Sequence, residues 1–185
     1  MPVPDDVLAR STWQPGCPVE PDELRYLQVA FWGFDGLAHT GELLVNAALA
    51  HDVLAVFGLL HEQRFPIERM VVPDLADLEG YHNRGDDNTT VAFECRPVTG
   101  GAGWSWHAYG RAIDINPFHN PYVRDEPEGR VLLPVYAATY LDRGRDVPGM
   151  INEGDPVVAL FDRLGWDWGG RFSTLKDWQH FVRRP

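Results

Sequence analysis

A histidine and an acid lie seven residues apart in the stretch SWHAYGRAIDINPFHNPY, which runs from position 105 to 122. The histidine is His107, and the acid, Asp114, stands within the apolar run AIDI, a composition typical of a short buried strand. A carboxylate is rarely buried without a partner. The pattern therefore indicates that Asp114 meets a cation or a metal ion, or that neighbouring backbone amides cap it.

A second histidine occurs near the C-terminus, in the aromatic stretch GWDWGGRFSTLKDWQHF. This residue, His180, follows the acid Asp177 by three positions. Two imidazoles and one carboxylate make a three-ligand set for Zn²⁺ that leaves one coordination position for water, the arrangement of a catalytic zinc site. We expect His107, Asp114 and His180 to hold one zinc ion, with Asp177 as an unligated acid beside the water.

These residues resemble the zinc D-alanyl-D-alanine carboxypeptidases of bacterial cell-wall metabolism, together with their vancomycin-resistance and phage-endolysin relatives. The family pattern is Ser-x-His, six residues, Asp, and far downstream an acid, two residues, His and an aromatic residue. It is matched here by Ser105, His107, Asp114, Asp177, His180 and Phe181. The resemblance covers roughly residues 65–181. Within it, the stretches HAYGRAIDINPFHNPY and GWDWGGRF are similar to the VanY-type and endolysin L-alanyl-D-glutamate peptidases. Many members have Glu where this chain has Asp177, which is one methylene shorter.

The resemblance implies a zinc-dependent metallopeptidase that hydrolyses peptide bonds in peptidoglycan stem peptides. The reaction would be that of a D,D- or L,D-carboxypeptidase or of an L-alanyl-D-glutamate endopeptidase. Asp177 would act as general base and then general acid. Arg96 would contact the substrate and polarise its carbonyl, with Arg84 as the competing candidate and a surface ion pair as the non-functional alternative. Ser105 would bind substrate or orient the metal ligands, unless it only caps a turn.

Two other functions remain open from the residues. The first is a non-catalytic binding module that keeps the zinc, as in the Hedgehog signalling domain, whose fold and metal site look related. The second is a structural zinc site closed by His119 or Cys95. The acid at Asp177 favours the enzyme over both.

Composition limits the partners. The formal net charge of −11, from 16 basic and 27 acidic residues, argues against binding to nucleic acid or to an anionic membrane surface. No stretch has the eighteen or so apolar residues of a membrane span.

The first residues, MPVPDDVLARSTWQPG, lack the basic and apolar regions of a signal peptide. We expect a monomer that acts outside the cell or at the cell wall, with its leader missing or its export by another route.

The chain has two cysteines, Cys17 and Cys95. They form either a disulfide or two free thiols, and export would favour the disulfide. Closing so long a loop would stabilise the fold by a few kcal/mol.

The expected fold is α+β, with a small antiparallel β-sheet that carries the zinc ligands and helices packed on one side, like the Hedgehog and D,D-peptidase fold. Five prolines predict that residues 1–22 form an extended arm, followed by a single catalytic domain at 23–185. Apolar periodicity predicts a helix over 41–64 capped by Thr40, and strands are expected at 65–72 and in VAFECR at 91–96. A regular strand would point positions 177 and 180 to opposite faces, so an irregular turn is predicted at Lys176 to Asp177.

Overall fold

The computed structural model describes residues 1–79, 88–99 and 101–185. The helices of this part of the chain are α1 (Asp5–Arg10), α2 (Ala50–Glu62), α3 (Leu75–Glu79) and α4 (Pro156–Arg163). Its first strands are β1 (Leu24–Trp32), β2 (Ala38–Asn46), β3 (Arg69–Met70), β4 (Thr89–Thr90) and β5 (Ala112–Asp114). The later strands are β6 (Tyr122–Glu126), β7 (Gly129–Leu133), β8 (Asp167–Trp168), β9 (Lys176–Asp177) and β10 (His180–Val182). None of the described helices has the length and apolar character needed to span a bilayer.

Small antiparallel sheets make up most of the strand structure, and with the helices they confirm the predicted α+β class. The strand orders are β1-β2, β5-β10-β8 and β7-β6-β9, all antiparallel. The strands β3 and β4, of two residues each, form a short parallel pair. The strand β10 lies between β5 and β8, so the predicted metal-site residues Asp114 and His180 belong to one sheet.

The main core lies between the β1-β2 hairpin, α2 and α4. Helix α2 buries Val53, Val56, Phe57 and Leu60, whose i, i+3, i+4, i+7 spacing gives one apolar face. This face packs against β1 and α4. The same core continues to the metal-site sheet through Phe181, because its ring stacks on Phe161 of α4 at 3.9 Å between centroids.

The helix predicted over 41–64 is wrong in its first part, since the chain is a strand until Asn46 and helix α2 starts only at Ala50. Thr40 therefore lies in β2 and caps nothing. Strand β2 pairs along its whole length with β1, a long-range contact that overrides the local helical period. Gly41 also permits a close approach, since a Cβ at this position would lie 2.5 Å from the Cβ of Met70.

The strand predicted at 91–96 forms no ladder beyond the bridge of Val91 with Asp114. Its side chains still alternate as predicted. Phe93 and Cys95 are buried in a second apolar cluster, whereas Glu94 and Arg96 line a cleft. In the same way, the strand expected at 65–72 is confined to β3.

The N-terminal segment is less extended than its prolines predict, because it contains helix α1. The prolines leave room for this helix: Pro4 precedes its first turn, which tolerates a missing amide proton, and Asp5 and Asp6 favour the helix dipole there. The segment packs against the body through Val7 and Val19 in the second apolar cluster. The boundary expected between residues 1–22 and 23–185 stays a prediction.

The disulfide left open by the sequence is present between Cys17 and Cys95. The backbone amide of Cys95 also donates to Oγ1 of Thr12 at 2.9 Å. The N-terminal segment is thus attached to the backbone next to Glu94 and Arg96, which line the cleft.

Candidate metal centre and active site

Antiparallel pairing places Asp114 and His180 side by side. The two residues are direct partners in the register of β5 and β10, so their side chains share one face of the sheet. His107 comes from a 3-10 turn at Trp106–Tyr109. The turn ends at Gly110, whose φ of 63° and lack of Cβ allow the main chain to approach Asn46 closely. These elements bring the three side chains together.

The ligand atoms of the three residues converge. Nε2 of His107 lies 3.2 Å from Nδ1 of His180, and Nδ1 of His180 lies 2.8 Å from Oδ1 of Asp114. The third distance, from Nε2 of His107 to Oδ1 of Asp114, is 3.2 Å. Ligands bonded tetrahedrally to zinc at about 2.0–2.2 Å stand roughly 3.3 Å apart. The donor set and its spacing therefore fit a tetrahedral ion, and the three residues can hold a metal.

The orientation of the His107 ring is fixed by the main chain. Its Nδ1 lies 2.6 Å from the carbonyl oxygen of Ala92, to which it donates a proton. The Nε2 lone pair is then left facing Asp114 and His180, which is the tautomer a metal requires. Ser105 supports the same turn, because its Oγ accepts a hydrogen bond from the His107 amide at 3.3 Å. The capping alternative for Ser105 is thus present, and its role in binding substrate stays a prediction.

The buried carboxylate of Asp114 is stabilised by side chains. Burial alone would raise its pKa, but the His107 and His180 imidazoles outweigh burial and hold the pKa below its ordinary value. Burial would lower the pKa of His180, and the Asp114 charge raises it instead. Asp114 is therefore a fixed negative charge facing two imidazoles, rather than a carboxylate capped by backbone amides.

Asp177 lies at the end of β9 and lines the same cleft as the three-residue group. Its Oδ1 is buried and has no hydrogen-bond partner among the residues that the structure describes. Burial is the main cause that raises the pKa of Asp177 to about 6; His180 opposes the rise and Asp114 adds to it. The carboxylate is thus mostly ionised at neutral pH and poised to accept a proton.

The irregular turn predicted at Lys176 to Asp177 lies two residues later, at Trp178 and Gln179. Lys176 and Asp177 themselves form β9 and pair with β6. The turn separates β9 from β10, which removes the objection that positions 177 and 180 of one regular strand would face opposite ways. Both side chains line the cleft.

Arg96 lines the same cleft as Asp114 and Asp177. Its Nε donates to Oε2 of Glu94 at 2.8 Å, and its charge interacts with Asp114 and Asp177. Burial would lower the pKa of Arg96, but the Glu94 carboxylate raises it above its ordinary value. Arg84, the competing candidate, lies outside the described residues.

The cleft has a volume of about 340 Å³. Among the residues lining it are Trp106, Tyr122 and Phe172 beside the acids and arginines. An apolar groove with a few converging polar groups is the usual form of a small-molecule or peptide site.

Among the described residues, neither alternative zinc ligand belongs to the converging three-residue group. Cys95 is in a disulfide, so it has no thiolate to offer. The Nδ1 of His119 is hydrogen-bonded to Asn88 at 2.9 Å, and its ring stacks on Phe34 with centroids 4.7 Å apart. Burial is the main cause that lowers the pKa of His119 to about 4, with Arg143 adding to it. His119 is a packed structural side chain.

Two features of the site were not identified from the sequence. The first is Glu94, which orients Arg96; alternation in VAFECR puts both on one face, and this pattern was the available indication. The second is the Ala92 carbonyl, for which no sequence pattern exists because any residue offers the same group.

Comparison with known proteins supports the resemblance. Residues 99–182 match a family model described as D-alanyl-D-alanine carboxypeptidase. The matched segment contains Ser105, His107, Asp114, Asp177 and His180, and starts three positions after Arg96. Neither the curated proteins nor the solved structures gave a match. The match covers less than half of the chain and agrees with the resemblance seen in the sequence.

Proposed function

Starting from the match of residues 99–182 to D-alanyl-D-alanine carboxypeptidases, we propose that the protein is a zinc peptidase that hydrolyses peptide bonds in peptidoglycan stem peptides. The bond cut is the terminal one of a D,D- or L,D-carboxypeptidase or the internal L-alanyl-D-glutamate bond. The observation that carries the proposal is the convergence of His107, Asp114 and His180, which line the cleft and whose ligand atoms lie within 4.8 Å of one another.

In this proposal His107 Nε2, Asp114 Oδ1 and His180 Nδ1 hold one Zn²⁺. When bound, such an ion supplies Lewis acidity, which acidifies water and polarises a carbonyl group. The three-residue set leaves a coordination position for this chemistry, as catalytic zinc sites do.

Asp177 moves the proton. Its side chain lines the cleft, and its Oδ1 has no hydrogen-bond partner among the described residues. The carboxylate accepts a proton from the attacking water and later donates it to the amine nitrogen that leaves. A pKa near 6 suits both steps at neutral pH, because the ionised form dominates and the protonated form is still accessible.

Arg96 stabilises developing negative charge on the substrate carbonyl oxygen. The ion pair with Glu94 uses its Nε, so the guanidinium plane is held in one orientation while the side chain lines the cleft. A fixed cation costs no reorganisation when the charge develops, which is the property that lowers a barrier.

The experiment that tests the proposal compares the parent with Asp177→Asn on purified muropeptides, after loading with zinc. We expect the parent to release either D-alanine or the products of an L-alanyl-D-glutamate cut. The variant should bind the same amount of zinc and lose at least about a hundredfold in kcat, as expected when an acid-base group is removed.

Asp146→Asn is the matched control, because Asp146 is an exposed acid that does not line the cleft. It should retain parental activity. Zinc bound by the parent without turnover on any stem peptide would contradict the peptidase and favour a zinc-containing binding module.

A further inference from the structure

The segment Trp168 to Phe172, with the sequence WGGRF, contains none of the proposed ligands or acid-base groups, yet it packs against the strand that ends at Asp177. We propose that this segment is a positioning device that sets the location of the Asp177 carboxylate. The inference rests on the proposed role of Asp177 and names the residues that make this role possible.

Gly169 supplies the closest contact. A Cβ at position 169 would lie 2.4 Å from the main-chain oxygen of Asp177 and 2.8 Å from its Cβ, both shorter than the 3.0 Å that Cβ atoms keep. The atoms in the way belong to the backbone and to a Cβ, so they cannot move aside by a change of rotamer. Glycine is therefore required here for close approach, and any other residue displaces Asp177.

Hydrogen bonds on both sides of Asp177 fix the same contact. Before it, Nζ of Lys176 donates to the carbonyl oxygens of Gly170 at 3.1 Å and Phe172 at 2.8 Å. After it, Nε1 of Trp168 donates to the carbonyl oxygen of Trp178 at 2.9 Å. The segment thus binds the residues that flank Asp177, one on each side.

The other side of β9 is paired with β6, where Tyr122 is the partner of Asp177 and Val123 the partner of Lys176. A strand of two residues has too few ladder bonds to hold its own position. Held between β6 and the WGGRF segment, β9 presents its acid to the cleft at a defined distance from His180. A misplacement of about 1 Å in such a group can lower a rate by roughly a hundredfold.

The test is Gly169→Ala, measured by zinc stoichiometry, steady-state kinetics on the peptide that the parent cleaves, and a crystal structure. We expect unchanged zinc content, KM within about twofold of the parent, and a loss of at least tenfold in kcat. Superposed on β10, the crystal structure should show the Asp177 carboxylate displaced from the three-residue group. Gly58→Ala is the control, because a Cβ at position 58 meets nothing within 4 Å.

Two milder variants keep the test decisive where Gly169→Ala does not fold. Trp168→Phe removes the N–H donor but keeps a ring against Phe181, and Lys176→Met removes the ammonium group but keeps an aliphatic side chain. Each should lower kcat more than it changes KM, with the zinc content unchanged. Parental kcat in both milder variants, or an unmoved Asp177 in the Gly169→Ala structure, would overturn the proposal. If the parent cleaves no peptide, the crystal structure still decides whether Gly169 sets the position of Asp177.

Discussion

His107 depends on a main-chain group for its chemistry. The Ala92 carbonyl takes the Nδ1 proton at 2.6 Å and leaves Nε2 as the only ring atom that can bind a metal. Residue types and spacing predicted that His107, Asp114 and His180 come together, and their ligand atoms do converge; that they hold zinc stays a prediction. They could not predict the partner that fixes the tautomer, since that partner is backbone.

Removing one imidazole should abolish metal binding. His107→Ala and His180→Ala each leave two of three protein ligands, so we expect both variants to lose zinc and activity together. The loss of affinity should exceed the 10- to 100-fold that is typical when a group supporting a ligand is removed. Metal analysis after equilibration with a chelator measures it.

His51→Ala serves as control, since His51 is exposed on α2. Full zinc occupancy in His107→Ala or His180→Ala would show that the ligand assignment is wrong.

The affinity for zinc should depend on pH through His180. Only a neutral imidazole binds a metal, and the pKa of His180 in the metal-free protein is raised above its ordinary value of 6.5 by Asp114. Protonation therefore competes with zinc as the pH falls, and this competition begins above pH 6.5. Asp114 does not contribute to the loss in this range, because its own pKa is lowered.

We expect the apparent affinity to fall by at least about tenfold for each pH unit below the pKa of His180. Competition with a chelator between pH 8 and pH 5 measures this dependence. A zinc affinity that stays constant between pH 8 and pH 5 would contradict the pairing of His180 with the Asp114 carboxylate.

At the scale of elements, local pattern predicted side-chain direction better than element type. In VAFECR the alternation correctly separated Phe93 and Cys95 from Glu94 and Arg96, although no ladder forms. Over 41–64 the helical period wrongly predicted a helix before Ala50. The first part of this stretch is β2, whose pairing with β1 is a long-range interaction that local periodicity cannot predict. The turn was predicted two residues too early for the same reason, since pairing with β6 keeps Lys176 and Asp177 in a strand.

The disulfide should stabilise the protein by restricting the unfolded chain. Cys17 and Cys95 are 78 positions apart, and closing a loop of this length is worth about 4.5 kcal/mol in the chain-entropy estimate. We expect the double variant Cys17→Ser with Cys95→Ser to lose free energy of unfolding of this order. Guanidinium denaturation of both proteins without reductant measures the difference.

A reduced parent is the matched control and should behave like the double variant. A difference below about 1 kcal/mol between the oxidised parent and the variant would contradict a loop-closing role.

The whole molecule assembles its site from segments that are distant in the chain. The main core supports β5 and β10 from one side, and the second apolar cluster with the disulfide supports the backbone of Glu94 and Arg96. The family match starts at residue 99, so it contains the proposed metal ligands and Asp177 but not the segment that carries Arg96. The sequence therefore indicated the residue types of the site, whereas the packing that positions them became clear only from the structure.

The most direct test is a crystal structure of the protein grown with zinc, with anomalous data collected on both sides of the zinc absorption edge. One zinc peak should lie about 2.0–2.2 Å from Nε2 of His107, Oδ1 of Asp114 and Nδ1 of His180. A protein saturated with zinc whose anomalous peak lies away from these three atoms would contradict the account.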